Sequence, residues 1–197
     1  LNFIVTQFLE GMSPRRCRLL NGKWLHLGQD GCLKPEEFMF EPNDPRGAVL
    51  APVTNLFGEC DDIDCQGMTV MPGMIDSHVH VTASSADLRK PAFMTPSLLY
   101  ARSVPILEGM LMRGFTTVRD CGGADHGLAE AVKEGTLKGP RIIHCGKALS
   151  QTGGHGDFRA AAENQLPFGS CRCCNFTIGR VCDGITACRE AVRDEVR

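Results

Sequence analysis

From Gln66 onward the apolar positions switch between a period of two and a period of 3.6, and this alternation constrains the fold more than any other feature of the chain. Thr69 to His80 reads as a strand. Thr95-Pro96 reads as an N-cap followed by proline at the first helical position. Tyr100, Val104, Leu107 and Leu111 then fall on one helical face. Pro105, inside this run, should kink the helix or delay its start, and Gly114 should end it. Phe115 to Arg119 reads as a short strand, and residues 125 to 137 as a weaker helix with Leu128, Ala131 and Val132 inward. Arg141 to Leu149 reads as a third strand, Ser150 to Ile178 as a long loop rich in Gly and Cys. Asp183 reads as the N-cap of a last helix, with Ile185, Cys188, Val192 and Val196 as its buried stripe. Strand and helix alternating at this spacing predict right-handed βαβ units and a parallel sheet.

Residues 1–66 lack that alternation. Asn21-Gly22 is a turn signal between short apolar runs, and residues 41–47 (EPNDPRG) are dense in turn formers. The reading is two domains: a β-rich N-terminal segment over 1–66, as part of a small β-sandwich, and an α/β domain over 67–197.

Composition excludes several classes. With 43% hydrophobic residues, 22% charged residues and a net charge of -2, the 197-residue chain can bury a core and offers no basic surface for nucleic acid. The opening LNFIVTQFLEGM has Gln7 and Glu10 and no basic leader, so it is not read as a signal peptide. No run approaches the ~20 apolar residues that span a bilayer. Eleven cysteines, an odd number without a secretory signal, predict reduced thiols and a cytoplasmic location. Cys171, Cys173 and Cys174, with Cys182 and Cys188, do not match the paired C-x2-C spacing of structural zinc sites, so a cysteine-rich zinc module is the minor reading.

The chemistry concentrates at residues 71–80, MPGMIDSHVH. In a strand, i and i+2 share a face, so His78 and His80 can present two imidazoles to one metal while Val79 points into the opposite layer. Asp76 shares that register, either as a hydrogen-bonding support of the site or as a carboxylate satisfied by backbone donors. In a parallel barrel the strand C-termini carry the active site. Arg119, Asp120 and the 150–157 loop fall at such ends beside the two histidines. Arg119 either pairs with a substrate carboxylate or makes a structural salt bridge to Asp120 or another carboxylate. Two imidazoles suit zinc and similar ions.

The string PGMIDSHVH resembles the first barrel strand of the metal-dependent amidohydrolase superfamily. GFTTVRD at 114–120 with Gly122-Gly123 resembles the family's second strand and exit loop, Gly139 to Ile143 the start of its third strand, and TGGHGD at 152–157 the loop after it. Together they look like the imidazolonepropionase-like and Xaa-Pro or Xaa-Arg dipeptidase branch. The resemblance implies the N-terminal part, about three βα units, of a (β/α)8 TIM-like barrel. It implies His78 and His80 as metal ligands, with zinc as one or two ions, and puts His155 near the active-site mouth as a substrate contact or carbonyl polariser, the alternative being a solvent-exposed loop histidine; by position, Arg119 is read as a substrate contact and Asp76 and Asp120 as supporting groups. The activity implied is hydrolysis of a carbon–nitrogen bond in a small amide or dipeptide by metal-activated water.

In the family the site is completed by a lysine from the fourth strand, histidines from the fifth and sixth, and an aspartate from the eighth. None of these lies in this sequence, so the chain reads as a fragment that by itself binds metal weakly and hydrolyses nothing. The alternative is a catalytically dead product acting as a binding or regulatory subunit, or without function. Three units cannot close a barrel and leave a parallel edge and apolar faces uncovered. Made alone, the chain is therefore expected to aggregate or self-associate as a homo-oligomer. Size-exclusion chromatography with light scattering checks this, and a monomer that unfolds cooperatively contradicts it.

Overall fold

The structure, a computed structural model, describes residues 16–25, 33–35, 38–40, 50–52, 60–159 and 178–196. The chain divides into two compact units, Leu1–Gly73 and Met74–Arg197.

The first unit is built of short strands. β1 (Arg16–Leu20), β2 (Lys23–Leu25), β3 (Leu33–Pro35), β4 (Phe38–Phe40), β5 (Leu50–Pro52), β6 (Cys60–Asp64) and β7 (Thr69–Val70) form two sheets, ordered β5-β4-β1-β6 and β3-β2-β7. The Asn21-Gly22 turn passes the chain from one sheet to the other. Asn21 takes the left-handed conformation that Asn tolerates, and its amide donates to Asp64 at 3.0 Å. Leu19, Ile63, Cys65 and Val70 are buried. The 41–47 turn region lies outside the described residues, as do most of the first unit's loops.

In the second unit, β8 (Met74–Val79), β9 (Phe115–Asp120) and β10 (Arg141–His144) form a three-stranded parallel sheet with β9 central. The expected strand over 69–80 is broken: Met71, Pro72 and Gly73 separate β7 from β8, and the two pieces belong to different sheets. Proline cannot donate to a ladder, which places the break there. α1 (Pro96–Met112) runs unbroken through Pro105. α2 is His126–Lys133, α3 is Gly184–Glu195.

Val79, Val118 and Ile142 on one sheet face pack with Val81, Leu107, Ala124 and Leu128 as the core beneath α1 and α2. The buried stripe of α1 is Leu99, Ser103 and Leu107, one residue off the expected Tyr100 and Val104, which are half-buried. Strand alternation puts Ile75, Thr117, Arg119 and Ile143 on the other face. There Ile75 and Ile143 are 71% and 50% exposed and Thr117 on the central strand is buried, so among the described residues the outer strands of that face are uncovered.

Two expectations for the C-terminal region change. The third strand ends at His144, and Ala148–Ser150 is a separate strand, β11, paired in parallel with β12 (Gly179–Val181). β12 is too short to announce itself in a Gly- and Cys-rich stretch. The predicted stripe of α3 is also misplaced. Ala191 is buried and Cys188 half-buried, whereas Ile185, Val192 and Val196 are exposed. Polar contacts set this helix's orientation: Glu195 accepts from the Lys147 backbone N–H at 3.0 Å, and Asp194 pairs with Arg180 at 2.8 Å. Those contacts turn the face containing Ala191 inward.

Asp125 caps α2 by accepting the Leu128 N–H at 2.9 Å, and its second oxygen accepts the Tyr100 hydroxyl of α1 at 2.8 Å. Burial, with the hydrogen bond to the adjacent Asp125 carboxylate, pushes the Tyr100 phenol well above its ordinary range. Asp125→Ala should cost about 1–2 kcal/mol, the sum of a lost cap and a lost tie between helices. Tyr100→Phe should cost less, and the two losses should not add. Urea denaturation of the double-mutant set measures this.

Candidate functional site

The C-terminal ends of β8 and β9 converge on one buried carboxylate. Asp120, fully buried, accepts three backbone N–H groups: Val81 at 2.8 Å, Gly122 at 2.9 Å and Ala124 at 3.1 Å. It therefore ties the residue after His80 to the exit loop of β9. That loop returns the connection, because His80 Nδ1 lies 2.9 Å from the Gly122 carbonyl oxygen. A carbonyl only accepts, so Nδ1 carries the proton in this contact, and in the neutral ring the lone pair is then on Nε2. Gly122 has φ +155°, and a Cβ there would lie 2.7 Å from the Ile178 carbonyl oxygen, so no larger residue can deliver this carbonyl.

His78 is exposed, His80 half-buried, and Val79 between them is in the helix-side core. The two rings meet edge to face with centroids 5.4 Å apart. Two imidazoles on one tetrahedral ion at a metal–nitrogen distance of about 2 Å would have centroids about 5 Å apart, close to the separation of this pair. Among the described residues no group of three or more His, Cys, Asp or Glu side chains is placed to hold a metal.

A register shift between Asp76 and Val79 marks a bulge in β8. Bulges leave backbone groups unpaired and re-aim side chains. Here Asp76 accepts the His78 N–H at 3.1 Å, and Arg119 Nε donates to the Ser77 carbonyl at 2.7 Å. Asp76 is half-buried and accepts this one local backbone donor. Arg119 and Asp120 are neighbours on a strand and point to opposite faces, so the salt bridge entertained between them does not form.

His155 is exposed on the loop after β11. This loop has its own frame, which sequence reasoning missed. Asp157 binds the Arg159 guanidinium through two 2.6 Å hydrogen bonds and accepts the Gly153 N–H at 2.9 Å. Asp183 accepts from Thr152 N at 3.0 Å and from Thr152 Oγ1 at 2.5 Å. Asp183 occupies the N-cap position of α3 as expected, yet its side chain makes no cap bond and holds the loop instead. The only sequence cue is the Thr152 and Asp157 pair flanking the glycines. His144 faces α2, where its ring lies 6.0 Å from that of His126. Cys171, Cys173 and Cys174 lie outside the described residues.

The profile of the Amidohydrolase family matches residues 69–197, and the chain belongs to that family. It is 33% identical over 138 residues to an ochratoxinase of Aspergillus niger, a match covering 65% of this chain and 28% of that protein. Among solved structures, a prolidase complexed with N-methylphosphonate-L-proline is 44% identical with a TM-score of 0.79, and covers 92% of this chain and 44% of its own. An amidohydrolase structure is 39% identical with a TM-score of 0.82, at 92% and 44% coverage. The fold is the N-terminal part of the family's barrel, and the chain spans less than half the length of these relatives.

The pH dependence of the His155 loop follows from its carboxylates. The Arg159 guanidinium, with the Gly153 N–H, holds the Asp157 carboxyl well below its usual range, and the Thr152 hydroxyl and N–H lower Asp183. A depressed folded-state value gives stabilisation that is complete above the unfolded-state value, about 4, and is lost as pH falls through the lower folded-state value. Amide-exchange protection of Gly153 and Thr152 should therefore persist from pH 7 to about pH 4 and fall only below it. Loss of protection between pH 7 and pH 5 would contradict the arrangement.

Proposed function

We propose that this chain supplies the first metal ligands of a hydrolase that cleaves a carbon–nitrogen bond in a small amide or dipeptide. The observation that carries the reading is the state of His80. Its Nδ1–H is committed to the Gly122 carbonyl, which leaves Nε2 as a donor atom held in a fixed orientation beside the His78 ring. Metal-ligating histidines commonly use their second nitrogen in this way. Imidazole donors favour zinc, as one or two ions.

A divalent ion held there supplies an acidified water and polarises the scissile carbonyl. His78 and His80 hold it, and Asp120 fixes the backbone just after His80 and the Gly122 loop whose carbonyl meets the His80 ring. Asp76 holds the His78 backbone N–H in the bulge. Arg119 spends Nε on Ser77, and its charge stays on the helix-free sheet face, where it favours a substrate bearing a carboxylate. His155 contributes a substrate contact from the loop that Asp157 and Asp183 hold. The 44% identical prolidase bound to a proline-derived phosphonate supports a dipeptide ending in proline as the first substrate to try.

The odd count of eleven cysteines supports a reducing, cytoplasmic setting. Among the described residues no helix is long and apolar enough to cross a membrane. Self-association through the uncovered sheet face accompanies the reading.

Competition titration of Zn²⁺ against a chromophoric chelator tests the site. His80→Ala should weaken binding by at least about 100-fold, and Asp120→Asn by about 10–100-fold through lost orientation of His80. Circular dichroism of each variant shows whether the fold is kept. Folded variants that bind zinc as tightly as the parent protein would overturn the assignment, whatever substrate is eventually found.

A further inference from the structure

Among the described residues outside the candidate site, Cys182 and Cys188 stand together as a pair of nucleophilic side chains. Cys182 lies directly after β12 and Cys188 in the second turn of α3, with five residues between them in sequence. Their sulfurs are 3.6 Å apart, and the Cys188 thiol donates to Cys182 Sγ and approaches the Cys182 carbonyl at 3.8 Å. Neither residue is in a disulfide. A disulfide needs an S–S distance of about 2 Å, so bridging requires the sulfurs to close by roughly 1.5 Å.

The surroundings say which sulfur moves. Cys182 is 9% exposed, its N–H donates to the Ser150 carbonyl at 2.8 Å, and the next residue, Asp183, is tied to Thr152. Cys182 is therefore held on both sides. Cys188 is half-buried on a helix, where a χ1 rotation swings Sγ without moving backbone. Burial and the neighbouring thiol push the Cys182 thiol up, which leaves the more accessible Cys188 as the first to react with an external reagent.

We propose that Cys182 and Cys188 form a reactive dithiol site that closes to an internal disulfide by exchange with a small disulfide of the oxidised-glutathione class. The Cys188 thiolate attacks one sulfur of the reagent, a protein–reagent S–S bond forms, and the first small thiolate leaves. Cys182, having lost its proton to solvent, attacks Cys188 Sγ, and the second small thiolate leaves. Two protein thiols are oxidised, and one small disulfide is reduced to two thiols. The Sγ pair is pre-positioned, so the second step outruns release of the mixed disulfide.

The test exploits the flanking arginines. Trypsin cuts after Arg180 and Arg189, which leaves both cysteines in the single peptide VCDGITACR, residues 181–189. The reduced protein, kept in a chelator, is equilibrated with defined ratios of oxidised and reduced glutathione, quenched with iodoacetamide, digested and weighed. The expected product is that peptide lacking two hydrogens and carrying neither an alkyl group nor glutathione. It should form at a reduced-to-oxidised glutathione ratio at least about tenfold more reducing than in the same protein unfolded in urea, a shift of about 30 mV. Cys188→Ser should leave Cys182 unmodified by glutathione in the folded protein. The proposal is overturned if both cysteines are alkylated, if glutathione stays on either, if Cys182 is joined to another peptide, or if folded and unfolded protein bridge alike.

Discussion

The hydrogen bonds of the Asp120 carboxylate are the constraint on which the candidate site depends. A buried carboxylate is costly unless its oxygens are satisfied, and here three backbone N–H groups satisfy them. Those three groups belong to two different loops. The carboxylate thereby converts two flexible strand exits into one rigid unit, from which the Gly122 carbonyl reaches His80. An aspartate at this strand end is thus explained by backbone geometry before any catalytic role is assigned to it.

Polar side chains elsewhere in the second unit work in the same manner. Asp76 and Arg119 satisfy backbone groups in the β8 bulge, and Asp125, Asp157 and Asp183 each hold a loop or helix start. The apolar core beneath α1 and α2 supplies the burial that holds the sheet together. The carboxylates decide where the chain turns at the ends of the strands. That division of labour concentrates ordered polar groups at one end of the parallel sheet, which is where a barrel protein presents chemistry.

Much of this was legible in the chain. The βαβ order, the parallel sheet, the Thr95 N-cap and Pro96 start of α1 and the histidine pair on either side of an inward valine follow from local periodicity and stereochemistry. Several features were not legible, each for a physical reason. β12 is three residues long, below the length at which alternation is detectable. The face of α3 was misread because hydrophobic spacing marks two adjacent stripes; the buried one carries Ala191, and Glu195 and Asp194 bond to Lys147 and Arg180 from this helix. Pro105 was expected to disturb α1, yet the helix continues on both sides of it, held by Leu99, Ser103 and Leu107 in the core.

The amino-acid sequence by itself determined the family, the strand–helix alternation from β8 to β10 and the histidine pair, because these rest on short motifs, helical periodicity and strand alternation. Tertiary structure decided which nitrogen of His80 carries the proton, that Arg119 turns to Ser77 and away from Asp120, and that Asp183 serves the His155 loop instead of its own helix. Each of these joins groups about 30 to 42 residues apart in sequence. A hydrogen bond across such a distance has no local signature, since either partner could be satisfied by water until folding brings the other within reach.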